Sequence, residues 1–150
     1  MTATYDTIRW ERDGGVGSLT INRPEHFNGM TTRMLREAHE LLHAVADDET
    51  LTVIVLTGAG AAFCPGADLK HYTSGETGEA GRDEYFYVPV MLHEMPQVTV
   101  AAINGACAGA VLGWACGCDL RYASRSAKLN TAFLDVAVAG DMGLPWTLPR

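Results

Sequence analysis

The chain has 150 residues, 47% of them apolar and 19% charged, and a net charge of −7. It can bury the core of a single domain and is not a disordered segment. Its acidic balance excludes a nucleic-acid-binding surface, which requires basic patches.

Residues 5–12 alternate as a strand, with Ile8 and Trp10 on one face. Asp13-Gly14-Gly15 reads as a hairpin turn, and residues 16–22 resume the alternation with Val16, Leu19 and Ile21. Arg23-Pro24-Glu25-His26 breaks the pattern. Residues 31–47 follow as a helix, with Thr31 or Thr32 as N-cap. Met34, Leu35, Ala38, Leu41, Leu42 and Val45 form its apolar stripe. Residues 51–57 are apolar throughout, as in a strand covered on both faces. Residues 74–84 are polar and glycine-containing, the composition of a surface loop, and 85–95 predict a helix stopping before Pro96. Residues 98–103 form a second buried strand, 108–116 a short helix of small residues, and 120–123 and 128–130 short strands. The order β-β-α-β-loop-α-β-α-β predicts an α/β domain with crossover connections.

The uncharged run 98–118, with its Gly105-x3-Gly109-x3-Gly113 spacing, has the length of a membrane span. Asn104-Gly105 is a turn signal inside it, and the run lacks the Leu/Ile/Phe density of a span. A buried strand–turn–helix is the reading adopted, with no membrane association. The N-terminus lacks the basic and apolar regions of a signal peptide. Cys64, Cys107, Cys116 and Cys118 show no metal-ligand spacing. They read as small buried side chains in a reducing cytoplasm, and no metal is expected.

Two buried strands lead into glycine turns, one at Gly66-Ala67-Asp68 and one at Gly109-Ala110. Gly66 permits a tight turn, and Asp68 can cap a helix beginning near Leu69, which leaves the Ala67 N–H free. The Ala110 N–H stands at the start of the next helix, where the helix dipole adds positive potential. Two such donors aimed at one oxygen form an oxyanion hole. The alternative reading of the same residues is a pair of tight connections.

Asn22-Arg23-Pro24-Glu25, Val53-Ile54-Val55-Leu56-Thr57-Gly58 and Phe63-Cys64-Pro65-Gly66-Ala67-Asp68-Leu69-Lys70 resemble the enoyl-CoA hydratase/isomerase (crotonase) superfamily. Ala101-Ala102-Ile103-Asn104-Gly105 and Cys118-Asp119-Leu120-Arg121 do so as well. The match runs through nearly the whole chain in order. The resemblance implies a crotonase-like spiral of β-β-α units, here a single, incomplete domain truncated before the C-terminal helical region. It also implies an acyl-CoA thioester as ligand, with coenzyme A part of the substrate and no separate cofactor. The full-length family assembles as a homotrimer or a dimer of trimers and serves fatty acid metabolism. On this resemblance Ala67 and Ala110 are the donors to the thioester oxygen, and Gly66 and Gly109 shape their turns. His26, Phe27 and Asn28 line the pantetheine and adenine site, and Asp68, Leu69, Lys70 and Phe133 complete the substrate-binding set. Lys70 and Arg23 are the candidate phosphate partners, the alternative for each being a solvated surface cation.

The chain departs from the family pattern in two places. The two glutamate positions of a hydratase hold Gly113 and Phe133, neither of which carries a proton. The usual three-glycine turn reads Gly109-Ala110-Val111, which leaves the backbone donors possible while Val111 narrows the pocket. Asp141 matches the position at which isomerase members of the family carry an aspartate facing the acyl chain. The expected chemistry is double-bond isomerisation through an oxyanion-stabilised enolate, with Asp141 as the proton shuttle. Asp141 also reads as a loop or cap aspartate. Asp135 is a weaker candidate, and Asp119 reads as structural. The alternative function is acyl-CoA binding without catalysis.

Overall fold

A computed structural model describes residues 5–73, 82–134, 137 and 139–149. In chain order, β1 (Ile8–Asp13) and β2 (Val16–Ile21) form the expected hairpin. The helix α1 (Thr32–Val45) follows, and the Thr31 hydroxyl accepts from the Met34 N–H at 3.2 Å, so Thr31 is the N-cap. Then come β3 (Val53–Gly58), β4 (Ala62–Cys64), α2 (Leu69–Thr73) and α3 (Val88–Glu94). The chain continues through β5 (Val98–Ile103), β6 (Ala106–Ala108), α4 (Ala110–Gly117), β7 (Leu120–Ala123), β8 (Leu129–Asn130) and α5 (Leu144–Thr147).

The strands make two sheets. One has the order β1-β2-β3-β5-β7, parallel except for the β1–β2 hairpin. The other, β4-β6-β8, is parallel throughout. Each of β3, β5 and β7 is followed by a strand of the small sheet, and β4 and β6 run directly on toward helices α2 and α4. This is the spiral of β-β-α units that the resemblance implied.

The α1 stripe packs on the core with Leu19, Ile21, Ile54 and Leu56 from the large sheet and Trp114 from α4. Glu37 lies in the same helix face, which sequence alone does not flag. It is buried, and its carboxylate accepts from the Thr7 N–H at 2.8 Å and from the Thr7 hydroxyl. A buried carboxylate persists only with such donors.

Some expectations are corrected. The strand predicted at 51–57 starts at Val53 and is covered on alternate residues. The helix predicted at 85–95 is a 3-10 turn over Asp83–Tyr87 followed by α3, because Pro89 sits at the first turn of the α-helix. Of the loop expected at 74–84, residues 74–81 lie outside the described residues. Asp83 and Glu84 belong to that 3-10 turn. The run 98–118 is β5, β6 and α4, and no helix among the described residues is long and apolar enough to cross a membrane.

Candidate active site

The small sheet brings the two glycine turns together. β4 and β6 are parallel neighbours, with Cys64 opposite Cys107, so both chains leave the sheet at the same end. A Cβ placed on Gly66 would stand 3.1 Å from the Ala108 carbonyl oxygen, and one on Gly109 would stand 3.7 Å from Gly66 Cα. Gly66 has φ +109° and Gly109 φ +60°, conformations that disfavour a side chain. The turns abut through bare backbone.

Each turn leaves one amide unspent. Met30 pairs with Ala67 as an isolated parallel bridge. The Met30 N–H donates to the Gly66 carbonyl at 2.8 Å, and the Asp68 N–H donates to the Met30 carbonyl at 2.9 Å. In such a bridge the bonds come from the residues on either side of Ala67, so its own N–H is directed away from Met30. Ala110 is the first residue of α4, and its helix has no side-chain cap. Neither N–H has an acceptor among the described residues. Ala110 is 8% exposed, which keeps this donor poorly hydrated. A free amide at a helix N-terminus is electropositive, and an oxygen gaining charge there needs no reorganisation of its surroundings.

Asp68 performs the capping role expected of it, accepting from the His71 N–H at 3.1 Å in the first turn of α2. Its burial pushes the carboxyl pKa up. The His71 N–H and the Arg23 guanidinium outweigh that effect and hold it below the ordinary carboxylate value. The loop carrying His26, Phe27 and Asn28 lies against it, since a Cβ on Gly29 would stand 3.1 Å from the Asp68 Cβ. His26 is exposed, and Phe27 is 68% exposed in a left-handed conformation. Leu69 is equally open at 68%, and Lys70 is exposed, its ammonium without a partner among the described residues. These side chains are available to a ligand.

Two expected contacts are corrected. Asn28 is fully buried. Its amide donates to the Ala59 and Ala62 carbonyls, both at 2.8 Å, and its oxygen accepts from the Arg23 N–H. Its backbone N–H is bonded to the Arg23 carbonyl, so the Asn28 side chain and N–H are spent on holding the loop. Arg23 is not a free phosphate partner either, because its guanidinium is bonded to the Gly29 carbonyl and to Asp68. These bonds have no short-range sequence signature, since Arg23 and Asp68 are 45 residues apart.

Gly113 and Phe133, the positions where the resemblance places a hydratase's glutamates, are occupied by packing. A Cβ on Gly113 would lie 2.5 Å from the Met142 carbonyl oxygen and 2.6 Å from the Met142 Cβ. Phe133 is partly buried against the core and close to Gly140. With Gly140, Leu144 and Pro145 it lines an apolar cavity of about 230 Å³. Met142 touches α4 at Gly113, three residues after Ala110, and Asp141 immediately precedes Met142 in the chain. The Asp141 carboxyl caps nothing and has no partner among the described residues, although its carbonyl accepts from the Leu144 N–H. It is exposed on one side, and the packing on its other side raises its pKa above the ordinary value. Asp119 is structural, accepting from the Thr99 N–H at 2.8 Å and the Thr99 hydroxyl. Asp135 lies outside the described residues. No group of three or more potential metal ligands occurs among the described residues.

A sequence model of the family described as Enoyl-CoA hydratase/isomerase matches residues 11–150. The chain is 40% identical over 142 residues to the 1,2-epoxyphenylacetyl-CoA isomerase of Escherichia coli, covering 91% of this chain and 54% of that protein. It is 31% identical over 160 residues to the peroxisomal Delta(3,5)-Delta(2,4)-dienoyl-CoA isomerase of Arabidopsis thaliana, covering 97% and 58%. Among solved structures, a Thermobifida fusca protein in complex with acetoacetyl-CoA superimposes with a TM-score of 0.83 at 25% identity, covering 95% of this chain and 60% of the other. The chain spans about half the length of the curated relatives it matches.

Proposed function

The chain belongs to the enoyl-CoA hydratase/isomerase family, and from that premise we propose that it binds an acyl-CoA thioester and moves a double bond along its acyl chain. The thioester oxygen sits between the N–H groups of Ala67 and Ala110. The Asp141 carboxylate removes a proton from an acyl carbon, and the C–H electron pair passes into the conjugated system to form an enolate held by the two amides. The same carboxyl returns the proton to a different carbon, so the product is an isomer and no co-reactant is consumed. The observation that carries this reading is the pair of unspent amides on two touching turns, with a carboxyl without a partner next to Met142, the residue that packs on α4 at Gly113. His26, Phe27, Leu69 and Lys70 are the side chains open to the coenzyme A portion.

Hydration is disfavoured because a water must be activated and a proton delivered by two groups, and Gly113 and Phe133 supply neither. The raised pKa of Asp141 suits a group that must both accept and return a proton. A second reading, acyl-CoA binding without turnover, is favoured by those same two replacements. The deciding experiment incubates the purified chain with enoyl-CoA and dienoyl-CoA thioesters and follows isomer formation by chromatography. Isomerisation that Asp141→Asn abolishes, with thioester affinity unchanged, supports the enzyme. Isomerisation at the wild-type rate in Asp141→Asn refutes the shuttle, and saturable binding without product in the wild-type chain supports the binding reading.

A further inference from the structure

Arg23 is a cation at a turn, the kind of side chain expected on the surface, yet its side chain is only 13% exposed. Its partner Asp68 is equally covered. One guanidinium nitrogen, Nη1, donates both to the Gly29 carbonyl and to Asp68 Oδ2, the latter at 3.1 Å. Gly29 precedes Met30, and Asp68 follows Ala67. The guanidinium therefore ties together the two chain segments that the Met30–Ala67 bridge pairs. Among the described residues that bridge is isolated, held by two backbone hydrogen bonds.

The backbone of Arg23 is also committed. Its N–H is bonded to the Asn28 side chain, and its carbonyl accepts from the His26 and Asn28 N–H groups. Asn28 is in turn fixed to the Ala59 and Ala62 carbonyls on either side of the β3–β4 connection. The guanidinium is thus anchored from behind to the strand pair that carries the first glycine turn. Phe27 and Asn28 both hold positive φ, 53° and 63°, so the loop retains a conformation that needs external support.

We propose that Arg23 is a positioning residue of the amide pair, clamping Gly29 to Asp68 so that the Ala67 N–H keeps its direction. The mechanical claim concerns the free protein. Its catalytic meaning rests on the thioester reading above. A donor displaced by a fraction of an ångström loses much of its effect on an oxyanion, so a clamp of this kind affects carbonyl binding more than nucleotide binding.

Backbone amide hydrogen exchange of the ligand-free chain tests the mechanical claim. In Arg23→Gln, the Met30 and Asp68 amides are expected to lose protection about tenfold, while the Leu56 amide of the large sheet exchanges as in the wild type. Asp68→Asn, which is isosteric and removes the other half of the clamp, repeats the test should Arg23→Gln fold poorly. The affinities of acetoacetyl-CoA and free coenzyme A form the second arm. The clamp predicts that Arg23→Gln weakens acetoacetyl-CoA about tenfold relative to coenzyme A, because only the former has a thioester oxygen. Wild-type protection of Met30 and Asp68 in both variants overturns the proposal. Equal weakening of both ligands also overturns it, since that is the signature of a phosphate contact. If the wild-type chain binds neither ligand, the thioester reading fails and the exchange data still decide the clamp.

Discussion

Gly113→Ala sets two effects of opposite sign against each other, and the geometry decides between them. Alanine is the better helix former, by about 1 kcal/mol in a helix interior. At Gly113 the added Cβ would lie 2.5 Å from the Met142 carbonyl oxygen and 2.6 Å from its Cβ, with the carbonyl carbon at 3.2 Å. Those atoms are backbone or directly attached to it, so relief requires the segment around Met142 to move. Overpacking of this kind costs about 1–3 kcal/mol, and three close contacts place it near the upper end. The net expectation is a destabilisation of about 2 kcal/mol, or a Tm lower by roughly 4–8 °C for a domain of this size. Urea titration followed by circular dichroism, with calorimetry on the same samples, measures it. A variant as stable as the wild type or more so would show that Met142 does not hold Asp141 against α4. The same contact predicts that Gly113→Glu creates no hydratase, because the new carboxylate must displace the segment that carries Asp141.

The remaining predictions concern charge, thiols and capping. Asp141 holds its proton more tightly in the folded chain than in the unfolded one, because packing partly desolvates its carboxyl. Stability from that preference is complete below the ordinary carboxylate pKa and is lost as pH rises through the raised folded value. Asp141→Asn is therefore expected to be more stable than the wild type at pH 7, with the gap closing on acidification, as measured by unfolding at several pH values. Burial pushes the Cys64, Cys107 and Cys118 thiols up to about 12. Mass spectrometry after mild iodoacetamide treatment of the native chain should find Cys116, which is only partly buried, modified ahead of the other three. Thr31→Ala removes the acceptor for the Met34 N–H and is expected to cost about 1 kcal/mol in urea unfolding.

Sequence shows best what local pattern controls. The α1 stripe, its Thr31 cap and the β5 strand at Val98–Ile103 follow from periodicity and capping chemistry, and all three are present in the fold. The small sheet is not legible in this way. β4 and β6 are three residues each, set among small residues, and they are strands only because they lie side by side. The abutting turns are products of that pairing, so spacing alone favours tight connections over a paired donor site. Charged residues mislead for a related reason. Glu37 and Arg23 look like surface charges, but their partners Thr7 and Asp68 lie 30 and 45 residues away in sequence. Asn28 fits a ligand-lining position by resemblance, whereas its burial is decided by the Ala59 and Ala62 carbonyls.

The site divides into a backbone part and a side-chain part, and the two respond differently to substitution. The amides of Ala67 and Ala110 are placed by strand pairing and by glycine at positions 66 and 109. Alanine can occupy position 110 without loss, because a donor N–H is independent of the side chain attached to its Cα. Proton transfer has no such independence. It requires a titratable group at the right place, and at positions 113 and 133 the chain carries a hydrogen atom and a phenyl ring. The glycine at 113 leaves room for Met142 against α4, next to Asp141 in the chain. The absence of a side chain at 113 and the seat of the Asp141–Met142 segment are thus parts of the same contact. Substitutions at 113 and 141 are accordingly expected to couple: Asp141→Asn should lose less isomerase activity in a Gly113→Ala background than in the wild type. Kinetic assays of the two single variants and the double variant measure that coupling. Strict additivity in log kcat/KM would show that the Gly113–Met142 contact does not place the carboxyl.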